Sequence, residues 1–171
     1  MMIDIFRDKV MPLLNEGRDV PVNFVWGDSS YIREYLLTLK GSSYTAPYRF
    51  PLIGLYSPFD ENHQNGVVSA SVNLILAVNT LTEYTNEQRL DVSFKEVLRP
   101  LYDAFFKALE KSREFDIPYN GFSHTYVENF SFGNRGALDV DGQEIDEKID
   151  AIEIKNLNLT LKKVNCYANR L

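Results

Sequence analysis

Residues 67–79, VVSASVNLILAVN, decide the fold. Val68, Ala70, Val72, Leu74, Leu76 and Val78 fall on alternate positions, which is the two-residue period of a strand. The intervening positions begin polar at Ser69, Ser71 and Asn73, then turn apolar at Ile75 and Ala77. Such a strand is expected to have one face solvated at its start and both faces buried at its end.

Upstream, residues 50–56 (FPLIGLY) read as a second strand that forms a hairpin with the first. Ten residues separate them, 57–66, SPFDENHQNG. That is longer than a tight hairpin needs, and the segment reads as a loop; long loops on a rigid sheet often carry function. Further upstream, Ile3, Phe6, Val10, Leu13 and Leu14 share one face of a helix over 3–14, with Pro12 near its end and Gly17 as its stop. Val20, Val22, Phe24 and Trp26 alternate as a strand, which Pro21 confines to an edge or to a start just after it. Asp28, Ser29 and Ser30 are N-cap candidates for a short helix carrying Tyr31, Ile32, Tyr35, Leu36 and Leu39, which ends at Gly41. Residues 41–49 read as a loop.

Downstream, Phe94, Val97, Leu98, Leu101, Tyr102, Phe105 and Leu109 form the apolar stripe of a long helix over 93–114. Ser93 and Glu96 have capping-box spacing at its start. Thr85 and Gln88 offer a second box, so 86–91 reads as a separate helical turn. Pro100 lies inside and is expected to kink the helix. The last third is strand-like. Thr125 to Phe132 is one strand, with Tyr126, Phe130 and Phe132 assigned to one face, and Asp141-Gly142 is a turn. Ile152 and Ile154 alternate, and Leu157, Leu159 and Leu161 alternate on the opposite parity, a one-residue slip that places a β-bulge near Lys155-Asn156. The expected architecture is a single α+β domain over 1–171, with 166–171 a frayed tail. Its sheet is mostly antiparallel, with the N-terminal helix and the long helix packed on one face.

Composition narrows the function. The 171 residues carry 18 basic and 24 acidic side chains, a net charge of −6, the opposite of what broad phosphate binding requires. One cysteine, Cys166, excludes an intramolecular disulfide framework and a cysteine-rich zinc site. The first ten residues include Asp4, Arg7, Asp8 and Lys9, so no signal-peptide core is expected there. The 67–78 stretch is too short and too polar for a membrane helix.

No residue constellation signals catalysis. His63 and His124 have no ligand-spaced partner, the serines lack a nucleophile-elbow setting, and no phosphate loop or dinucleotide fingerprint is present. An enzyme built on Asp60, Glu61 and His63 would lack a paired nucleophile and base. The acidic run Asp139, Asp141, Glu144, Asp146, Glu147, Asp150 and Glu153 does not follow the order of a calcium loop. It is expected to be a solvated surface, with Asp139, Asp141 and Glu144 as its candidate cation ligands. No cofactor is implied. The aromatics stand out, with eleven Phe, ten Tyr and one Trp. Tyr44, Tyr48, Tyr56, Tyr84 and Tyr119 lie in or beside loops, where they serve as interface anchors or as intramolecular packing.

Two segments, 50–61 (FPLIGLYSPFDE) and 76–90 (LAVNTLTEYTNEQRL) continuing to Phe94 and 97–102 (VLRPLY), resemble proteins encoded among the tail and neck genes of tailed bacteriophages and prophages. The order of elements over residues 1–163 is similar to that of the tail-terminator family, which caps the tail tube and joins it to the head. The helix after Trp26 and the acidic 139–153 segment look like additions to the minimal family fold. The resemblance implies a non-enzymatic virion protein, a tail terminator or another neck (head–tail joining) subunit. Its partners would be further copies of itself in a ring, hexameric in the simplest case, and tail-tube and connector proteins. DNA would pass without specific binding, and no membrane would be involved. The protein would reside in the host cytoplasm during assembly and then in the virion. By the same resemblance Pro58, Phe59, Asp60, Glu61 and His63 would line the lumen or touch the next ring, and Tyr44, Tyr48, Tyr56 and Tyr84 would be interface aromatics. The rival reading is a ligand-binding or regulatory domain with an apolar pocket lined by the aromatics.

Overall fold

In the computed structural model, residues 1–38, 50–81, 83–130, 132, 137–138, 144–145 and 148–162 are described. Helix α1 runs as α-helix over Met2–Ile5, as π-helix over Phe6–Val10 and again as α-helix over Met11–Asn15. Strand β1 (Asn23–Gly27), helix α2 (Ser29–Thr38) and strand β2 (Leu52–Tyr56) follow. Then come β3 (Glu61–Gln64) and β4 (Val67–Thr80). Helix α3 is continuous through Asn86–Arg89, a π-helical stretch Leu90–Leu98, and Arg99–Ser112. Strands β5 (Thr125–Asn129), β6 (Ala137–Leu138), β7 (Glu144–Ile145) and β8 (Lys148–Thr160) complete the order.

The main sheet has the order β1-β2-β4-β8-β5, with β3 also on β4. Every pairing is antiparallel except β1 with β2, so the fold is α+β with a mostly antiparallel sheet. β4 is the spine, and its burial follows the polarity switch in its sequence: Ser71 and Asn73 are exposed, whereas Leu74 through Ala77 are buried on both faces.

The segment 57–66 corrects the loop expectation. β2 pairs with the second half of β4, from Leu52 opposite Ala77 to Leu55 opposite Leu74. Residues 61–64 form β3 and pair with its first half, from Glu61 opposite Ala70 to Gln64 opposite Val67. β8 occupies the other side of β4, so β2 and β3 lie in tandem along one side. The tight turn is Asn65-Gly66, both at positive φ (51° and 72°), a two-residue hairpin connection that only such a pair adopts without strain.

α1 and α3 cover one face of the sheet. Met2, Phe6, Val10 and Leu14 pack with Phe94, Leu98, Leu101 and Phe105 over Ile53, Leu55, Leu74, Leu76, Ile152 and Ile154. The Phe6 ring lies 6.1 Å from Phe105 and 6.2 Å from Phe115. α2 covers part of the other face, where Ile32 joins Val25, Leu52, Ile75, Ala77 and Ile149. Phe132 packs on this second cluster while Phe130 packs on the first, so the two do not share a face as the alternation suggested. β5 ends at Asn129, which releases the chain from strict alternation.

The start of α3 also differs from expectation. The capping box is Thr85 with Gln88, and Ser93 is buried inside the helix. Both prolines follow a π-helical stretch. Met11 N–H donates to the Phe6 carbonyl and Arg99 N–H to the Phe94 carbonyl, five residues back in each case. A proline ring presses on the carbonyl four residues before it, and a wider preceding turn relieves that contact. The bulge is where the parity slip put it. Val72 opposes Leu157 and Leu74 opposes Ile154, so Lys155 and Asn156 together face Asn73. Among the described residues no helix is long and apolar enough to cross a membrane.

Candidate functional site

The Pro58–His63 segment is divided by the fold. Phe59 is half-buried and packs on the main core, so its ring serves the fold. Pro58, Asp60 and His63 face solvent. Glu61 turns toward the start of α1, where its Oε1 accepts the Met2 N–H at 2.7 Å and lies 3.4 Å from the Met1 amino group. Its Oε2 lies 3.3 Å from His63 Nε2. Partial burial raises the Glu61 pKa, but the Met2 N–H, His63 and the amino group outweigh it and hold the carboxyl below the usual carboxylate range. Glu61 is thus an N-terminal cap contributed by a distant strand, in a position that favours negative charge.

Of the proposed interface aromatics, Tyr44 and Tyr48 lie outside the described residues. Tyr84 and Tyr56 are half-buried. Burial first, and Glu153 second, push the Tyr56 hydroxyl up to about 12 against the opposing effect of Arg33. Tyr119 is fully exposed. Alternation missed two further half-exposed rings, because it assigns a face and not the cover over it. They are Trp26 on β1 and Tyr126 on β5, each 39% exposed, on the two outermost strands of the sheet.

Around Tyr126 the polar groups are paired. Arg99 holds Glu128 through Nε at 2.7 Å and Nη2 at 3.2 Å, and the Tyr126 hydroxyl donates to Glu128 at 2.6 Å. Arg99, helped by Tyr126, keeps the Glu128 carboxyl low in spite of burial. His124 Nδ1 faces the Phe122 carbonyl at 2.7 Å and must donate to it. In the neutral ring Nε2 then accepts from the Tyr102 hydroxyl at 2.6 Å. This cluster ties α3 to β5.

The acidic run is not uniformly solvated, contrary to expectation. Asp150 is fully buried against Arg89, and Glu153 is partly buried between Asn129 and Lys155. Both lie on β8, whose pleat sends Asp150 to the helix side and Glu153 to the other. Asp139, Asp141, Asp146 and Glu147 lie outside the described residues, as does the side chain of Glu144. Among the described residues no group of three or more His, Cys, Asp or Glu is placed to hold a metal ion. Cys166 also lies outside them, as does the 166–171 tail.

A cavity of about 600 Å3 opens where β1 ends and α2 begins, lined by Phe24, Trp26, Asp28, Tyr31, Tyr35 and Ser57 among others. The sequence supplied these residues as strand and helix positions, and only the crossover from β1 through α2 to β2 brings them together. No family model matches the chain, and no curated protein matches it.

Proposed function

We propose that the chain is a non-enzymatic structural subunit of a phage or prophage virion, a ring-forming tail terminator or another neck (head–tail joining) protein. The resemblance of residues 50–61 and 76–102 motivates the reading. The observation that supports it best is the pair of sheet edges. Among the described residues β1 pairs only with β2, β5 only with β8 and β3 only with β4, and the edges of β1 and β5 each carry a half-exposed aromatic, Trp26 or Tyr126. Two different edges on one subunit suit a head-to-tail contact, which closes into a ring when the rotation per subunit allows. The net charge of −6 suits a passage through which DNA slides without being gripped. The subunit is made in the host cytoplasm and ends in the tail or neck, with tube and connector proteins as neighbours.

Absolute mass by light scattering across concentration, alone and with the cognate tube or connector, tests the reading. A closed species of about six subunits supports it. Val127→Lys, which places a charge on the β5 edge, is expected to return the ring to monomers. A chain that stays monomeric at every concentration, with and without tube and connector, overturns it. The second reading, a ligand-binding domain, is favoured by the cavity beside β1.

A further inference from the structure

We propose that β5 of one copy lies antiparallel beside β1 of the next copy, with Tyr126 opposite Trp26, so that the sheet runs on from chain to chain. The proposal rests on the ring reading and names its contact surface.

The registers put the two edges in line. Trp26 opposes Leu55, Leu55 opposes Leu74, Leu74 opposes Ile154, and Ile154 opposes Tyr126. In the same way Phe24 is joined through Ile53, Leu76 and Ile152 to Glu128, and Val25 through Gly54, Ile75 and Glu153 to Val127. Each row therefore begins on β1 and ends on β5. A cyclic assembly carries every residue around its axis at constant height. With the strands along that axis, the end of a row meets the beginning of the same row in the next copy.

Direction and face agree as well. β1 is parallel to β2, and three antiparallel pairings separate β2 from β5, so β5 runs opposite to β1. Trp26 and Tyr126 both lie on the helix side, 6.0 Å from the Arg7 guanidinium of α1 and 5.1 Å from the Tyr102 ring of α3. Val25 lies on the other side with Ile75, and Val127 shares the side of Glu153.

The backbone groups match too. The Asn23 N–H donates to the Pro51 carbonyl, and the Gly27 carbonyl accepts from the Ser57 N–H. Residues 23, 25 and 27 therefore face β2, and Phe24 and Trp26 turn their N–H and C=O groups to the outer edge. On β5, the Ser123 carbonyl accepts from the Asn158 N–H, and the same alternation turns Tyr126 and Glu128 outward. Trp26 with Tyr126 and Phe24 with Glu128 become hydrogen-bonded pairs, and Val25 with Val127 the close pair between them. Composition singles out these two edges. β3 is Glu-Asn-His-Gln, polar throughout, whereas β1 and β5 carry Phe, Val, Trp and Tyr, and neither has the Lys or Pro that guards a free edge. Trp26 and Tyr126 each keep 39% of their surface exposed, which the joint would cover.

The test is a full-length chain with Val25→Cys, Val127→Cys and Cys166→Ser, assembled alone or with tube or connector and oxidised with copper phenanthroline. Within one chain the two new cysteines stand four strand spacings apart, roughly 19 Å, beyond disulfide reach. A ladder of linked chains that dithiothreitol reverses is expected. Val25→Cys or Val127→Cys alone should give no ladder, and the two mixed should give covalent dimers only. Val25→Cys with Thr125→Cys, out of register by two residues, should link far less. A ladder from either single variant, or equal linking out of register, overturns the proposal. So does an assembly proven by mass whose folded double variant gives no ladder, and that outcome leaves the ring reading standing. A chain that is monomeric throughout overturns both. If circular dichroism shows the double variant misfolded, the native chain decides. Trp26 is its only tryptophan, so assembly should shift the emission to the blue and reduce acrylamide quenching. Unchanged emission in the assembled chain overturns the proposal.

Discussion

The Arg89 guanidinium, in the first turn of α3, pairs with the Asp150 carboxylate of β8, and both side chains are withdrawn from solvent. Nη2 donates to Asp150 Oδ1 and also to the Phe130 carbonyl, and Nε lies 3.3 Å from Oδ2. The Phe130 ring lies beneath the guanidinium, 5.6 Å from Cζ. One pair thus joins the start of the long helix to a central strand and to the chain leaving β5. Removing one partner leaves a buried charge without its counterion. Arg89→Met and Asp150→Asn should each cost about 3–5 kcal/mol in chemical denaturation. Arg89→Met combined with Asp150→Asn should cost clearly less than the sum of the two, and additive costs would show that the two residues do not act as a pair.

Glu61 caps α1 in its charged form, so its contribution depends on pH. Its folded-state pKa lies below the ordinary carboxylate value. The stability it adds is therefore fully present above the unfolded-state pKa and is lost as pH falls through the folded one. Glu61→Gln should be less stable than the native chain by about 1 kcal/mol at pH 7. The two should converge in acid. A difference that stays constant from pH 7 to pH 3 would exclude the cap as its source.

Gly54 lies in β2 beneath α2. A Cβ there would sit 2.8 Å from Ile75 Cγ2 and 3.3 Å from Ile32. Both contacts are fully buried and have nowhere to yield. Gly54→Ala should destabilise by about 1–3 kcal/mol. Pairing it with Ile75→Val should recover part of the loss, and no recovery would point away from this contact.

At the bulge, the Asn156 N–H donates to Asn73 Oδ1 at 2.8 Å, and Asn156 has φ 54°. A β-branched residue is strained in that conformation and glycine is not. Asn156→Gly should change stability by less than about 0.5 kcal/mol, whereas Asn156→Val should cost about 1–2 kcal/mol. Equal melting temperatures for the two variants would rule out a left-handed residue at this position.

Most of the fold is legible in the chain. Leucine parity switches between Ile154 and Leu157, and the bulge is there because each half of β8 must keep its apolar set toward the helices. The polar-to-apolar switch in β4 marks where the sheet gains cover on its second face. Where the reading erred, two local signals competed. Ser93 with Glu96 matched a helix start as well as Thr85 with Gln88, and the outcome depended on Arg89 reaching Asp150, 61 residues away. Residues 61–64 have little strand propensity of their own; pairing with the first half of β4 and the Asn65-Gly66 turn make them a strand.

The candidate sites were less legible, because a carboxylate in sequence carries no mark of what it will face. Glu61 and Asp150 look alike as acidic residues, yet one caps a helix and the other neutralises a buried arginine. By itself the sequence determined the periods, and with them the long helices, the long strands and the bulge, because these depend on neighbours a few residues apart. Only the tertiary structure decided which charges pair, which strands lie at the edges and which aromatics stay half-exposed there. Those depend on contacts between residues far apart in the chain, and no local pattern encodes them.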